Sequence, residues 1–467
     1  MTKLCQGKNG TILTAQNESV REGEPRIEMK ALVIGSGGRE HAILWALKRT
    51  SSVPLELYCA PGNGGISQLA ECVSISAGDH ESLIEFALTK AIDMTIVGPE
   101  GPLAAGVVDE FERHGLKIIG PSRAASRLES SKAFAKDFMS RHNIPTAEYY
   151  VANSPDEALA ALRSGKFGPP DSAVVVKADG LAAGKGVVIA ATRAEAESAV
   201  MAAMTERRFG EAGARLVVEE CLAGPEVSFF VVSDGDRALP IGSAQDHKRL
   251  FDDDRGPNTG GMGAFAPSPL VDGPLQARVM HEIVEPVVAG MAAEGHPFRG
   301  FLYVGLMLTV AGPKVIEFNV RLGDPEAQVI LPLFAEPLLP VLVAAAAGVL
   351  HHRTCRLSSE KIVGIVLASR GYPESPESGR PISGVDEAER LPGVTVYHGG
   401  TARRDNQLVT AGGRVLTVVG RGGEFAEAIM RAYTGASHIA FDGMRYRRDI
   451  GRKAVIDDRR FGDRQST

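Results

Sequence analysis

The sequence predicts a multidomain protein of mixed α/β and α+β class. Its 467 residues accommodate about three domains at roughly 150 residues each. Short apolar runs in the first third end in Gly/Pro loops that feed helical patterns, which describes a parallel α/β unit. Further on, strands are joined by glycine turns rather than crossovers, which describes antiparallel α+β units.

Composition excludes several classes. Hydrophobic residues make up 44% and charged residues 23%, as in ordinary globular proteins. The net charge of -6 gives no broad basic field for nucleic acid. The 5 cysteines lack C-x-x-C spacing, which argues against a zinc site or disulfide framework and for a cytoplasmic protein. No apolar run is long enough for a membrane span. The polar residues 1–28 read as a disordered extension, with Met29 as an alternative start.

Folding is expected from residue 29. Ala31-Leu-Val-Ile34 is a buried strand that enters a helix through Gly35-Ser-Gly-Gly-Arg-Glu40. Gly35, Gly37 and Gly38 let backbone N–H groups approach a phosphate at a helix N-terminus. Taken alone, the turn fits an ordinary strand–helix junction equally well. A dinucleotide-binding fingerprint would need a third glycine where Glu40 stands. Strands at 55–59, 93–97 and 117–119 end in similar loops. Because ligands bind beyond the carboxyl ends of such strands, the loops at 35–41, 61–65 and 98–101 should converge. This unit is expected to span 29–130.

A helix over 131–142 carries Lys132 and Lys136. Ser154-Pro-Asp-Glu157 and Thr192-Arg-Ala-Glu195 are capping boxes that start two more helices. Strands at 173–177 and 187–190 flank a small-residue hairpin containing Gly184, Lys185 and Gly186. It is no Walker loop, since Gly186 replaces the required Ser or Thr. The segment 151–222 reads as a small lid, with 131–150 and 223–355 forming a central domain. Glu219, Leu222 and Glu226 follow the last lid strand, and the two carboxylates suit the amino group and ribose of adenosine. Asp246, Lys248 and Arg249 form a polar cluster before a long loop, in which Asp252 to Asp254 read as a solvated turn. The paired His351 and His352 read as linker residues. A C-terminal α+β domain is expected over 356–455, followed by a frayed tail over 456–467.

The most informative stretch is 314–328. Glu317 and Asn319 alternate with Ile316, Phe318 and Val320, so they share one strand face. Two hard oxygen ligands suit Mg²⁺, with phosphate and water completing its shell. Arg321 falls on the same face. Gly323-Asp324-Pro325 then turns the chain, with Asp324 expected to cap a helix beginning at Pro325.

In order, these pieces resemble the ATP-grasp ligases, and among them the phosphoribosylamine–glycine ligase (glycinamide ribonucleotide synthetase) family. The motifs that carry the likeness are Val33-Ile-Gly-Ser-Gly-Gly-Arg-Glu-His-Ala42, Ile96-Val-Gly-Pro-Glu100, Ser131-Lys-Ala-Phe134, Lys177-Ala-Asp-Gly180 with Gly184-Lys-Gly-Val187, Gln245-Asp-His-Lys-Arg249, Gly256-Pro-Asn-Thr-Gly-Gly-Met-Gly263 and the 317–328 stretch. The resemblance implies an ATP-grasp fold and a reaction in which glycine, 5-phosphoribosylamine and ATP give glycinamide ribonucleotide, ADP and phosphate. It implies Mg²⁺ (or Mn²⁺) on Glu317 and Asn319, and ATP on Lys132, Lys177, Gly184, Lys185, Gly186, Glu219, Leu222 and Glu226. Arg321, Asp324, Lys248 and Asp246 would act at the reacting groups. Gly35, Gly37, Gly38, Arg39, Glu40, Pro61, Gly62, Asn63, Gly98, Pro99, Glu100, Arg249 and Gly323 would hold phosphoribosylamine. Small molecules are the expected partners, with no nucleic acid or membrane, and a monomer or weak dimer is expected. One departure is Gly305, which stands where many ATP-grasp enzymes place another metal carboxylate.

Overall fold

The computed structural model describes residues 28–181, 186–351 and 354–465. The expected disordered extension lies outside these residues except for Glu28, as do Gly184, Lys185 and His352. The N-terminal unit is a five-stranded parallel sheet. Its order is Glu71–Cys72, Leu55–Pro61, Met29–Gly35, Met94–Val97, Ile118–Ile119. Ala31, Leu32, Val33 and Ile34 are wholly buried, which is why the central strand reads as an unbroken apolar run. The order reverses at Met29–Gly35, so the loops after its neighbours gather at one end.

Tyr149–Ala152, Leu216–Glu220, Val174–Ala178 and Val187–Ala190 form a separate four-stranded antiparallel sheet. Its two helices start where the capping boxes predict. Ser154 Oγ accepts the Glu157 N–H at 3.3 Å, and Thr192 Oγ1 accepts the Glu195 N–H at 3.2 Å.

The largest sheet has eight strands. Gly312–Asn319 is its edge strand, followed by Arg299–Thr309, Glu226–Asp234, Ala238–Asp246 and Gly263–Ala266. The sheet then continues into Lys361–Ala368, Arg414–Gly422 and Val394–His398. The C-terminal segment is therefore not a free-standing sheet, since Gly263–Ala266 pairs antiparallel with Lys361–Ala368.

One further expectation is corrected. The tail over 456–467 is not frayed throughout, because a helix runs Arg452–Gln465. Its start is anchored by Lys453 Nζ on Asp254 at 2.6 Å and by buried Ala454. The acidic run is the exposed turn expected, with no buried residue, but ion pairs and hydrogen bonds hold it in place. Asp254 accepts from Arg447 at 2.9 Å, Asp252 accepts the Arg448 N–H at 2.7 Å, and the Asp253 N–H donates to Asp449 at 3.0 Å. Arg447 is only 1% exposed and also pairs with Asp449.

Removing one side of a buried ion pair strands the other charges. Arg447→Met is expected to cost roughly 3 kcal/mol, the lower end for such losses because Asp254 keeps some solvent contact. Urea denaturation would measure it, and an unchanged midpoint would contradict the anchoring role.

Candidate active site

The edge strand Gly312–Asn319 carries Glu317 and Asn319 on one face, and Asn319 Nδ2 stands 3.5 Å from Glu317 Oε1. Burial opposes the charge on Glu317, but Lys248, Lys177, Lys132 and Arg321 outweigh it and hold the carboxyl below its ordinary range. Gly305 is directly opposite Glu317 in the register. A Cβ there would come within 3.0 Å of Glu317 Cγ and 3.2 Å of Tyr303 Cε1. The glycine makes room for Glu317, so the missing carboxylate has a steric reason. Among the described residues no group of three or more His, Cys, Asp or Glu side chains could hold a metal alone. One carboxylate and one amide instead fit a divalent ion that takes its remaining ligands from phosphate and water.

Cations from several segments face this strand. Lys132 Nζ donates to the Gly180 carbonyl at 2.9 Å, at the base of the hairpin. Lys177 Nζ donates to the Ile316 carbonyl at 2.9 Å and to Glu219 at 3.0 Å. The Glu219 carboxylate is thus taken by lysines. Gly186 is buried at the start of the returning hairpin strand, and Leu222 is half-buried just past Glu220. Glu226 is exposed and accepts from Lys248 Nζ at 2.5 Å.

Arg321 lies between Glu100, at 3.1 Å, and Glu129, at 2.9 Å. Glu129 also accepts the Val320 N–H at 2.7 Å. Asp324 does not cap a helix. The helix runs Ala327–Ile330, and the Asp324 carboxylate instead accepts from Gln328 Nε2 at 2.8 Å. Arg414 Nη1 donates to the Asp324 carbonyl at 2.5 Å and to the Gly260 carbonyl at 2.6 Å. Asp324 is held below the carboxylate range by Arg414 and Arg39 against the effect of burial.

The glycine loops converge beside Asp324. Glu40 accepts the Gly37 N–H at 2.5 Å and pairs with Arg39 at 2.6 Å, while Arg39 reaches the Leu322 carbonyl at 3.2 Å. Glu40 lies flat on Gly98, where a Cβ would sit 1.9 Å from its Oε1. At Gly35, φ is +127° and Pro99 Cδ would be 3.0 Å from an added Cβ. The Gly62 N–H donates to the Gly35 carbonyl at 3.1 Å. Asn63 Nδ2 donates to the Ser36 and His398 carbonyls at 2.8 Å each, with Pro61 ending the strand before it. A cavity of about 240 Å³ opens here, lined by Ser36, Gly37, Gly38, Asp324, Gln328 and Arg414. A larger one of about 690 Å³, which includes Thr146, Tyr149 and Lys166, contains none of the predicted site residues.

Asp246 ends the strand Ala238–Asp246, and Lys248 follows two residues later. Burial, Glu226 and Glu317 raise Asp246 against the pull of Lys248. Arg249 Nη1 donates to the Gly256 carbonyl at 2.7 Å, with its other N–H groups not engaged by that bond. Glu326 was not predicted. It is buried beside Gly323, accepts from Ser228 Oγ at 3.4 Å, and is pushed up to about 7 by burial and by Asp246. Glu129, Gln328 and Arg414 were missed too. Gln328 carried a signal, since it closes the 314–328 stretch four residues after Asp324, and Glu129 stands two residues before Ser131-Lys-Ala-Phe134, but Arg414 lies far from any motif.

A lysine-flanked acidic edge strand, a small antiparallel sheet and a glycine-lined cavity define an ATP-grasp ligase. The chain belongs to the phosphoribosylglycinamide synthetase family, whose N, ATP-grasp (A) and C domain models match residues 29–129, 130–327 and 362–453. It is 48% identical over 428 residues to the phosphoribosylamine–glycine ligase of Neisseria meningitidis serogroup A, covering 91% of this chain and 100% of that one. It is 48% identical over 430 residues to the Vibrio cholerae enzyme of the same name, covering 91% and 99%. The crystal structure of the Thermotoga maritima phosphoribosylamine–glycine ligase is similar, with TM-score 0.77, 35% identity, and coverage of 90% of this chain and 100% of that one. The biotin carboxylase domain of Hydrogenobacter thermophilus 2-oxoglutarate carboxylase shares the fold, with TM-score 0.66, 19% identity, and coverage of 89% and 91%.

Glu326 generates a test. Its carboxyl is raised from 4.5 to about 7, so the folded chain holds a proton that the unfolded chain releases. Its contribution to stability is therefore present below about pH 4.5 and lost as pH rises to about 7. Glu326→Gln, which mimics the protonated form, is expected to be more stable than the parent at pH 8 and equal to it at pH 4. Thermal melts across this range would check it, and equal melting at pH 8 would refute it.

Proposed function

We propose that this chain uses the cleavage of ATP to ADP and phosphate to ligate glycine to 5-phosphoribosylamine, giving glycinamide ribonucleotide in purine biosynthesis. The single observation that carries this reading is Arg321. It stands between the Glu317–Asn319 strand on one side and the Gly35–Glu100 loops on the other.

In this reading a glycine carboxylate oxygen attacks the γ-phosphorus of ATP, the bond to ADP breaks, and glycyl phosphate forms. Lys132 and Lys177 hold ATP phosphates, and Arg321 holds the transferring phosphoryl oxygens, for which its planar fork is suited. Leu222, through its backbone, and Glu226 serve adenine and ribose, while the Glu219 carboxylate, expected at the adenine, is instead engaged by Lys177 and Lys136; Gly184, Lys185 and Gly186 cover the phosphates. Glu317 and Asn319 hold Mg²⁺ or Mn²⁺, which supplies neutralisation of developing phosphate charge.

The amine of phosphoribosylamine then attacks the acyl carbon, phosphate leaves, and the amine gives up a proton. Gly35, Gly37, Gly38, Arg39, Glu40, Pro61, Gly62, Asn63, Gly98, Pro99, Glu100, Arg249 and Gly323 hold this substrate, while Asp246, Lys248 and Asp324 face the reacting amine. Holding nucleophile and acyl phosphate together lowers the barrier by roughly 7–11 kcal/mol. Excluding water protects the acyl phosphate. Among the described residues no helix is long and apolar enough to cross a membrane. We place the enzyme in the cytoplasm, acting on small molecules as a monomer or weak dimer.

Purified protein is expected to release ADP only with glycine, phosphoribosylamine generated in situ and a divalent cation together. Turnover of formate or bicarbonate without response to glycine would overturn the assignment. Glu317→Ala is expected to lower turnover by at least about a thousandfold, a loss of roughly 4 kcal/mol of transition-state stabilisation, without loss of fold. Near-normal turnover would remove Glu317 from the metal role.

A further inference from the structure

Lys132 and Lys136 lie one turn apart on the helix Lys132–Arg141, but only Lys132 has a part in the mechanism above. Lys136 is 2% exposed. Its Nζ donates to Thr146 Oγ1 at 2.7 Å and pairs with Glu219 Oε2 at 2.9 Å. Thr146 Oγ1 in turn donates to the Val315 carbonyl at 2.6 Å. Glu219 is equally buried, and its second lysine is Lys177 at 3.0 Å. One carboxylate is thus shared by two ammonium groups inside the protein. The network ties the lysine helix and the edge strand Gly312–Asn319 to two strands of the small sheet, Leu216–Glu220 and Val174–Ala178.

An ammonium buried this way is costly. Burial drives Lys136 down to about 8, even though Glu219 pulls it up. A buried charge contributes little to stability compared with an apolar side chain of similar volume. Its value must therefore lie in what it arranges, and the donor count shows what that is. The Lys177 ammonium has three N–H bonds. One meets Glu219 and one meets the carbonyl of Ile316, the residue before Glu317, leaving one for a further acceptor. If Glu219 had no second cation, its whole negative charge would fall on Lys177 and cancel the field that Lys177 presents to an anion.

We infer that Lys136 is a positioning residue for the nucleotide, sharing the charge of Glu219 so that Lys177 keeps both its place and its attraction for a phosphate oxygen. This inference rests on the reading of Lys177 as an ATP ligand.

The test is calorimetric binding of MgATP to the full chain, alongside steady-state kinetics. Lys136→Met is expected to weaken MgATP binding at least tenfold, raising KM for ATP while KM for glycine and for phosphoribosylamine stays within twofold. Lys136→Arg, which keeps the charge, should recover part of the loss. Lys136→Met combined with Glu219→Gln should bind MgATP more tightly than Lys136→Met alone, since the carboxylate left over-attached to Lys177 is gone. A purely structural lysine would lower the melting temperature in both variants with no ATP-specific change. Affinity within twofold of the parent in folded Lys136→Met overturns the proposal, and so does an equal rise in KM for all three substrates. Should Lys136→Met fail to fold, Thr146→Val decides. A loss of MgATP affinity of about threefold supports the role, and unchanged affinity overturns it. MgATP binding without glycine ligation by the parent would defeat the proposed reaction but leave this inference to be judged on affinity alone.

Discussion

Arg321 is the interaction on which the rest of the site depends. Its guanidinium is mostly buried and grips Glu100 and Glu129. Glu100 begins the helix after the parallel strand Met94–Val97, and Glu129 lies just before the lysine helix. The second oxygen of Glu129 accepts the Val320 N–H, next to Arg321 itself. One cation therefore fixes the end of the edge strand against both the N-terminal sheet and the lysine helix. Because side chains alternate along a strand, fixing its end also fixes which face carries Glu317 and Asn319. Burial works against the charge on Arg321, but Glu129 and Glu100 more than compensate, so it stays charged at any working pH. Buried pairs of this kind add little net stability, so its role here is geometric.

The same rule extends across the cleft. Lys132 meets the Gly180 carbonyl, Lys177 meets Glu219 and the Ile316 carbonyl, and Lys248 meets Glu226. In each case the partner comes from a distant part of the chain. These bonds hold the donors in position before charge develops, the form of preorganisation that makes electrostatic stabilisation effective. They also explain why small residues line the cleft. Gly305 gives space to Glu317, Gly98 gives space to Glu40, and Gly323 gives space to Glu326.

The family and the strand carrying Glu317 were legible in the sequence because their signals are local. Alternation along 314–320, glycine turns after apolar strands, and capping boxes at Ser154 and Thr192 all depend on neighbours within a few residues. The misses have a different origin. Asp324 has the residue type and following proline of a helix cap, but its carboxylate goes to Gln328 and its carbonyl to Arg414. The acidic run at 252–254 is the exposed turn that its residues suggest, but its partner Arg447 lies far along the chain and is not visible locally. Glu129 and Lys136 look like ordinary helical charges. Their roles appear only once the fold places Arg321 and Glu219 beside them. Local pattern identifies which residues can bind; long-range contact decides what holds them.

That distinction bears on the C-terminal segment, which composition alone would set apart as a separate module. Its strands instead prolong the central sheet through the pairing of Gly263–Ala266 with Lys361–Ala368. The strand Gly263–Ala266 follows directly from the Gly256–Gly263 loop, so docking the segment also fixes that loop. Arg414 then reaches back across the sheet to the Gly260 and Asp324 carbonyls. The His398 N–H donates to His41 Nδ1 on the first helix at 2.8 Å, and Asn63 closes the opposite side through the His398 carbonyl. The cavity beside Gly37 and Gly38 is therefore walled by residues from both ends of the chain. A parallel α/β unit by itself presents its glycine loops to solvent, where a phosphate or an amine competes with water. With Arg414 and Gln328 on the facing wall, the same loops line a two-sided cleft adjoining Asp324. Folding of the C-terminal segment onto the central sheet is thus what turns a set of glycine turns into a substrate site.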